Sequence, residues 1–531
     1  MKTHFATTPS MICPSMSRGT AALAWLSLAA GLLPVTLPLV SSTADAATEY
    51  TLTGLLAGGG YSNASGINDS GQIVGGSASA SGAYAFLYSD GTLTDLGTLA
   101  GGTRSYATGI NNAGEIVGAS NTSSGKWHAF AYSGSTMSDL GTLGGSSSYA
   151  TGVNGSGQVV GYSATSSGDQ HAFEYSGGTM SDLGTLGGSS SYATGINDSG
   201  QVVGRAATSA GDTHAFEYSG GTMSDLGTLG GSANYSGANG INASGQIAGR
   251  TTTPGGNTHA FLYNAGVMAD LGTPSGGSYS FAYGVNASGQ VVGYSETSSH
   301  VQTAFVYSGG TISDLNSLIP SGSGWTLTQA NAINRYGDIV GMGTNPNNRT
   351  EAFLLTPTYS DTTSVATGGQ AASLLGGASQ TNGVAVSFSN VTSAGSLSVA
   401  YQAVTSPTST ASQATFGYGP ISFTVPGSML QLWDLHFTGT FTGDATVTFG
   451  FDPSLLPAGL NPADLRLYHY SGNQWVLLGD QVVNTTTDTI SALTPGFSPF
   501  ALGEVVPGTA PLALLAVGSL ALIGRRRKAV A

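Results

Sequence analysis

Residues 149–183 read YATGVNGSGQVVGYSATSSGDQHAFEYSGGTMSDL, and variants of this stretch occur seven times in the chain. Four short runs within it are rich in β-branched, aromatic and alternating apolar residues, namely Tyr149–Asn154, Gln158–Tyr162, His171–Tyr175 and Thr179–Leu183. Between them stand turns made of Gly, Asn and Ser, a pattern typical of strands joined by hairpins. The unit therefore predicts four antiparallel strands.

An asparagine that follows Ile or Val marks each copy, and a glycine stands three residues after it. Successive asparagines are 43, 43, 43, 45, 44 and 48 residues apart. A period in the forties with four strands per unit predicts the blades of a β-propeller. We expect the asparagine side chains to bond the turn backbone, which is a structural role. The seven are Asn68, Asn111, Asn154, Asn197, Asn242, Asn286 and Asn334.

The two ends of the array complement each other. Thr51–Leu56 resembles the fourth strand of a unit, whereas Glu351–Leu355 resembles a third strand. If the first strand pairs with the third strand of the last unit, that unit has four strands and the two ends of the array leave no unpaired strand edge. This predicts a seven-bladed β-propeller over residues 47–356, and an open solenoid is the alternative.

After residue 356 the repeat pattern ends. Residues 357–382 are rich in Thr, Ser and Gly and are predicted to be a linker. Residues 383–504 hold seven further strand candidates with short turns, which predicts a smaller β-sandwich with Trp433 and Trp475 in its core. The expected fold class is thus all-β, a seven-bladed β-propeller followed by a smaller β-sandwich.

The N-terminal residues 1–46 are predicted to be a signal peptide. Lys2 and Arg18 precede an apolar stretch at 21–40, and Ala44-Asp45-Ala46 supplies the small residues of a cleavage site. A membrane anchor is the alternative. The single cysteine, Cys13, lies inside this segment, so the mature chain would hold no disulfide and no cysteine-ligated metal.

The C-terminal residues 505–531 hold a short apolar run, Leu512 to Ile523, followed by the basic cluster Arg525, Arg526, Arg527 and Lys528. As a helix the run would span only about 18 Å, which is short for a membrane crossing. The segment resembles the PEP-CTERM sorting tail that exosortase-type peptidases process. Val505-Val506-Pro507 stands where that family has Pro-Glu-Pro, so only Pro507 matches. A plain transmembrane anchor is the alternative.

The recurring His-Ala-Phe triplet begins at His128, His171, His214 and His259, next to repeated Gly-Ile-Asn and Gly-Gln-Val-Val-Gly elements. Over residues 50–356 the chain resembles the HAF family of extracellular repeats. The resemblance implies export and a repeat array, and it implies no activity.

Two repeated series of titratable residues invite a metal or acid–base interpretation: the four histidines, and the aspartates Asp95, Asp139, Asp182, Asp225, Asp270 and Asp314. Equivalent positions on a seven-membered ring lie too far apart to share a metal unless they line its axis. We therefore expect the aspartates to bond neighbouring turns and the histidines to pack at strand starts. No motif in the sequence implies a cofactor.

A binding site is expected to break the repeat symmetry. Most basic residues of the body are assigned to the unequal connections between second and third strands: Lys126 with Trp127, Arg205, Arg250 and Arg349. Arg104 is assigned to a different connection. We expect these six residues to be candidates for binding an acidic or sugar ligand, with scattered solubilising side chains as the alternative.

The formal net charge of −14 becomes more negative when both ends are removed, which disfavours nucleic acid as a partner. We therefore predict an exported cell-surface or matrix protein of a Gram-negative bacterium with a non-catalytic binding or structural role, whose ligand is a polysaccharide or an envelope protein. Its other expected partners are a sorting peptidase and, transiently, the membrane. The alternative is an extracellular carbohydrate-active hydrolase or lyase that uses non-repeated carboxylates such as Asp338 and Glu296.

Overall fold

A computed structural model of the protein describes residues 49–504, with gaps at 56–59, 80–81, 90, 231–233, 275, 366–370, 376–382, 404–411, 416–421, 426–428, 438–439, 452–455, 457–460, 472–473, 487 and 495–498. The predicted signal peptide, the C-terminal segment with Pro507, Leu512, Ile523 and Arg525 to Arg527, and much of the predicted linker lie outside these residues. Regular structure in the described part is almost entirely β-strand, so the all-β prediction is confirmed. No helix there is long and apolar enough to cross a bilayer.

Strand β1 (Glu49–Leu55) precedes the repeats, which we number 1 to 7 by their asparagines. The first strands are β2 (Tyr61–Ile67), β6 (Ser105–Ile110), β10 (Gly144–Val153), β14 (Gly187–Ile196), β18 (Ser236–Ile241), β22 (Gly276–Val285) and β26 (Thr326–Ile333). The second strands are β3 (Ile73–Ser79), β7 (Ile116–Asn121), β11 (Val159–Thr165), β15 (Val202–Thr208), β19 (Ile247–Thr252), β23 (Val291–Thr297) and β27 (Ile339–Thr344).

The third strands are β4 (Gly82–Ser89), β8 (Trp127–Ser133), β12 (Gln170–Ser176), β16 (Thr213–Ser219), β20 (Thr258–Asn264), β24 (Gln302–Ser308) and β28 (Thr350–Val365). The fourth strands are β5 (Thr92–Asp95), β9 (Thr136–Asp139), β13 (Thr179–Asp182), β17 (Thr222–Asp225), β21 (Val267–Gly272) and β25 (Thr311–Asp314), the last followed by a 3-10 helix, Leu315–Ser317. The strands of a repeat pair antiparallel in chain order, which gives a propeller-like series of four-stranded sheets.

Each anchoring asparagine is buried and uses its whole amide group. Asn154 Oδ1 accepts from the backbone N–H groups of Ser156 and Gln158 at 3.1 and 3.0 Å, as in an Asx turn. Asn154 Nδ2 donates to Gln158 Oε1 at 2.7 Å and to the backbone carbonyl of Asn197, in the next repeat, at 3.1 Å. The turn glycine, Gly157, has a φ of +76°, which favours glycine.

The same bond to the next repeat recurs at all seven asparagines. It runs from Asn68 to Asn111 and onward through each repeat, and Asn334 Nδ2 then donates to the Asn68 carbonyl at 3.3 Å. Asp338 takes the position that Gln or Glu fills in the other repeats, and it accepts from Asn334 Nδ2 at 2.9 Å. The expectation that Asp338 is a non-repeated carboxylate is therefore wrong, because it belongs to this turn.

Neighbouring repeats also share their apolar core. Val160 and Leu183 of repeat 3 pack with Val202 and Phe216 of repeat 4, and equivalent clusters occupy the other junctions. Each sheet alone would leave this apolar surface in water, so adjacent repeats stabilise one another.

The His-Ala-Phe triplet has a structural explanation in repeat 4. Ala215 is fully buried, and its N–H donates to Ser236 Oγ of the next repeat at 2.8 Å. Six of the seven junctions carry this alanine–serine bond, including Ala352 to Ser62, which links repeat 7 to repeat 1. Phe216 pairs across strands with Gly204, and its ring covers a glycine that has no side chain of its own.

The ends of the array meet in the structure. Strand β1 pairs antiparallel with β28, with Thr53 opposite Leu354. Seven first strands contact one another in sequence, and β26 contacts β2. The Arg335 guanidinium also forms a salt bridge with Asp69 at 2.8 Å across this junction.

Strand β28 continues past position 356, where the linker is predicted to begin, and pairs with β32. The later strands are β29 (Ala371–Leu375), β30 (Gly383–Phe388), β31 (Val391–Ser393), β32 (Gly395–Ala403), β33 (Ser412–Thr415), β34 (Ser422–Val425), β35 (Met429–Phe437), β36 (Thr440–Phe441), β37 (Ala445–Gly450), β38 (Leu465–Ser471), β39 (Gln474–Leu477), β40 (Val482–Asn484), β41 (Thr489–Thr494) and β42 (Pro499–Glu504), with a 3-10 helix at Pro462–Asp464.

Most of these later strands form two sheets. One has the order β28-β32-β35-β42-β38-β39, and the other has the order β29-β30-β37-β41-β40. Trp433 of the first sheet and Phe449 of the second are fully buried, with ring centroids 4.5 Å apart. Trp433 thus lies in a core as expected, whereas the side chain of Trp475 lies outside the described part.

We expect Asn154→Ala to lower the free energy of unfolding by about 2–4 kcal/mol, because it removes four hydrogen bonds and leaves the buried Asn197 carbonyl without this donor. Chemical denaturation of the full-length chain measures the change. Exposed Asn347→Ala serves as the control and should stay within about 0.5 kcal/mol of wild type. A loss below about 1 kcal/mol for Asn154→Ala would contradict the role given to the amide.

Gly204→Ala should destabilise the chain by about 1–3 kcal/mol, since a Cβ at this position would lie 2.0 Å from the Tyr192 carbonyl oxygen. Gly60→Ala is the matched control, because a Cβ there meets no atom within 4 Å. Thermal melts of both variants test the difference, and equal melting temperatures would refute it.

Candidate functional site

Three of the predicted binding residues lie in exposed connections. Lys126 precedes β8, Arg349 precedes β28, and Arg104 lies between β5 and β6. None of the three forms a salt bridge with a described residue. They fit the alternative of scattered solubilising side chains.

Arg205 and Arg250 are not in connections, which corrects the expectation from the sequence. They lie inside the second strands β15 and β19 and are half-buried. The strands run past these arginines because the pairing with the third strand continues to Ala207 and Thr252. Trp127, also half-buried, opens β8, and its ring lies 5.4 Å from that of Tyr106.

These three residues join a group of tyrosines that the sequence analysis missed. Eight of its eleven members stand at two positions of the repeat, five residues before the asparagine or eight residues after it, and these two positions pair across strands. The other three, Trp127, Tyr235 and Tyr283, each contact one of the eight. Side chains alternate along a strand, so Tyr149 points away from the buried Ser148 and Ala150 and stays half-exposed. We call the group the aromatic belt: Tyr106, Trp127, Tyr149, Tyr162, Tyr192, Tyr235, Phe281, Tyr283 and Tyr294, with Arg205 and Arg250.

Within repeats 3 and 4 the belt forms a run of direct contacts. Tyr149 stacks on Tyr162 at 5.0 Å, and Tyr162 meets the edge of Tyr192, in the next repeat, at 5.1 Å. The Arg205 guanidinium lies over the Tyr192 ring at 4.8 Å. Gly237 of repeat 5 leaves room for the stem of Arg205, whose Cβ and Cδ lie beside it.

A second run occupies repeats 5 and 6. The Arg250 guanidinium lies 5.4 Å from the Tyr235 ring and 4.6 Å from the Phe281 ring, and Arg250 Nη2 donates to the Tyr235 hydroxyl at 3.0 Å. Phe281 stacks on Tyr294 at 4.7 Å, and Tyr283 lies 5.9 Å from Tyr294.

The belt breaks the symmetry of the repeats. At its two positions repeat 1 carries Asn63 and Gly76, and repeat 7 carries Gln329 and Met342. At these two positions aromatic and arginine side chains therefore occur only in repeats 2 to 6. The fold of the repeats does not require this difference between repeats 2 to 6 and repeats 1 and 7. The belt is therefore the strongest candidate for a binding surface.

Three of the belt hydroxyls, those of Tyr106, Tyr162 and Tyr283, stay protonated at neutral pH. Burial raises the pKa of Tyr283 to about 12, and burial also raises the pKa of Tyr106 and Tyr162. Nearby Arg250 opposes part of the shift at Tyr283 by lowering its pKa. A ligand that meets these side chains encounters flat apolar faces edged by O–H groups.

A buried carboxylate stands close to one end of the belt. Glu296 is 5 % exposed and interacts with His300 Nδ1 at 2.8 Å. A hydrogen bond to Glu296 raises the pKa of Tyr279, whose ring lies 5.6 Å from Phe281. The other repeats have no acid at the position of Glu296.

The four repeated histidines pair with the repeated aspartates inside their own repeats. His171 Nδ1 lies 2.7 Å from Asp182 Oδ2, and the other three pairs are alike. Asp182 also accepts from the Gly184 N–H at 2.8 Å, as expected for an aspartate that bonds a turn. The histidine partner was not predicted. Among the described residues no three His, Cys, Asp or Glu side chains are grouped to hold a metal.

A cavity of about 670 Å³ lies where the seven asparagine turns meet. Seven aliphatic side chains line it, one from the end of each first strand: Ile67, Ile110, Val153, Ile196, Ile241, Val285 and Ile333. The asparagine amides at its wall already bond one another's turns. Charged side chains also line the cavity, but Asp69 and Asp198 bond neighbouring repeats and Arg335 pairs with Asp69. The belt, which differs between repeats, remains the better candidate.

The chain matches no known protein family and no curated protein. Among solved structures it is similar to TolB from Acinetobacter baumannii, with 12 % identity, 54 % of this chain and 63 % of TolB covered, and a TM-score of 0.30. The match thus spans less than two thirds of TolB. A gluconolactonase from Xanthomonas campestris is 11 % identical, with 57 % of this chain and 88 % of the gluconolactonase covered and a TM-score of 0.29. An Aleuria aurantia lectin mutant in complex with a fucosylated disaccharide is 14 % identical, with 46 % of this chain and 88 % of the lectin covered and a TM-score of 0.27. Likenesses this low carry no functional argument.

If the belt arginines serve binding rather than folding, Arg205→Gln and Arg250→Gln should each lower the free energy of unfolding by less than about 1 kcal/mol, the scale of a partly exposed cation–π contact. Urea denaturation of the full-length variants checks this. A loss above about 3 kcal/mol would identify the arginines as structural, on the scale of a core defect.

Proposed function

We propose that this chain is an exported, non-catalytic protein of the bacterial cell surface or matrix, and that it binds polysaccharide along the aromatic belt. The observation that carries the proposal is the belt itself, a series of half-exposed aromatic rings in mutual contact. Its two main positions carry aromatic or arginine side chains in repeats 2 to 6 and neither in repeats 1 and 7. An envelope protein is the alternative ligand.

The chemistry of the belt suits sugars. A pyranose ring has an apolar C–H face that packs on an aromatic face, and a rim of hydroxyl groups that exchange hydrogen bonds. Tyrosine supplies both an apolar face and a polar hydroxyl in one side chain. Rings at successive repeats would meet successive sugar units, so a polymer would contact more of the belt than a monosaccharide.

We propose a closed seven-bladed β-propeller as the scaffold, followed by a smaller β-sandwich. Closure is supported by three links between repeats 7 and 1: the Asn334–Asn68 hydrogen bond, the Ala352–Ser62 hydrogen bond and the pairing of β1 with β28. An open solenoid would leave the last asparagine without a next repeat. The sandwich is supported by the ring contact of Trp433 and Phe449 between two sheets.

Export and surface attachment rest on the sequence. The signal-peptide pattern of residues 1–46, the resemblance to HAF repeats, and the resemblance of residues 505–531 to a PEP-CTERM tail support a location in the envelope of a Gram-negative bacterium. A sorting peptidase is the partner that such a tail would require.

The enzymatic alternative has one observation in its favour, the buried Glu296 near the belt. Glycoside hydrolysis generally employs a pair of carboxylates, one on each side of the scissile bond. The partners found for Glu296 are His300 and Tyr279 instead. We therefore favour binding without turnover.

To test the proposal, we suggest the double variant Tyr162→Ala/Tyr192→Asn, which gives these positions the residues of Ala119 in repeat 2 and Asn63 in repeat 1. Because the fold already accepts these residues, the variant should stay folded and lose at least about tenfold in affinity for the polysaccharides that the wild type retains on a glycan array. Affinity electrophoresis of the full-length chain measures the loss.

The control is Val267→Ala, which truncates an exposed apolar side chain of β21 outside the belt and should bind like wild type. Failure of the wild-type chain to retain any polysaccharide, or unchanged binding by the double variant, would refute glycan binding at the belt.

A further inference from the structure

Arg205 and Arg250 are half-buried cations that face aromatic rings instead of carboxylates. The chain holds 27 acidic residues against 13 basic ones, yet neither arginine forms a salt bridge with any described residue. Arg335, in contrast, pairs with Asp69 at 2.8 Å. Among the described residues, neither belt arginine therefore has an acidic partner, although the chain has more acidic than basic residues.

The groups around these arginines are neutral. Arg205 lies on the Tyr192 ring, and Arg250 lies between the rings of Tyr235 and Phe281 and donates to the Tyr235 hydroxyl. A guanidinium that stacks by its face still presents N–H groups at its edge, and this edge matches a carboxylate in a bidentate pair. The two arginines stand at the same position of consecutive repeats, so a repeating ligand can meet both.

From this arrangement we infer that the ligand is an acidic polysaccharide, and that Arg205 and Arg250 bind the carboxylates of its uronic acid units while the neighbouring rings pack against the sugars. The inference rests on the proposed function, which it narrows to one class of glycan. The chain is acidic overall and repels polyanions at long range, so recognition must come from these local cations.

The test compares two polymers with one backbone, polygalacturonate and its fully methyl-esterified form, by calorimetry on the full-length chain. We expect polygalacturonate to bind at least about tenfold more tightly, as two charge-assisted pairs would give. Arg205→Gln/Arg250→Gln should weaken the binding of polygalacturonate at least about tenfold and so remove this preference. Arg349→Gln/Arg466→Gln, which removes the same charge at two positions outside the belt, should bind like wild type.

Arg205→Lys/Arg250→Lys keeps the positive charge but loses the planar guanidinium that can form two parallel hydrogen bonds to a carboxylate. This variant should retain only part of the preference for polygalacturonate over its ester. Equal binding of both polymers would overturn the inference and leave glycan binding intact. Binding of neither polymer by a chain that retains neutral glycans on an array would also overturn it, whereas a chain that retains no glycan would refute the proposed function itself. Dextran sulfate bound as tightly as polygalacturonate would overturn the assignment to carboxylates.

Discussion

The structure depends on a hydrogen bond between backbone and side chain that no repeat can complete alone. Each anchoring asparagine bonds its own turn with its oxygen and the following repeat with its nitrogen. An amide with two donors and two acceptors buried at this place is fully satisfied only when the next repeat is present. The bond therefore sets the register of adjacent turns, and the first strands that end at those turns inherit the same register. The belt follows from that alignment, because most of its residues stand five before or eight after the asparagine.

Much of the fold could be predicted from the sequence, since strand alternation and turn glycines act locally. The asparagine's bonds within its turn and the aspartate's bond to the next glycine are of this kind. What reaches into a neighbouring repeat could not be predicted. Ala215 bonds a serine of the next repeat, and Asn154 bonds a carbonyl 43 residues away. These contacts depend on how neighbouring sheets pack, and the sequence of a single repeat does not predict that packing.

The candidate site could likewise be predicted from the sequence only in part. Arg205 and Arg250 break the repeat pattern, but the sequence assigns them to connections, because an arginine flanked by Gly and small residues does not signal where a strand ends. The tyrosines were missed although a signal existed. Tyr106, Tyr149, Tyr192 and Phe281 each precede an anchoring asparagine by five residues. A column-by-column comparison of the repeats would have found both belt positions, since repeats 1 and 7 differ there from the others.

Strand β1 leaves the ribosome first, yet its partner strand is among the last parts of the array to be made. The Thr51 hydroxyl donates to the Thr356 carbonyl, a separation of 305 positions. At ordinary rates of synthesis the first strand waits about 15–60 s for this partner. During that interval β1 has no strand of its own to pair with, and its edge is open to other chains. An exported chain that stays unfolded until it has crossed the membrane meets both strands at once, so secretion itself would shorten the period of exposure.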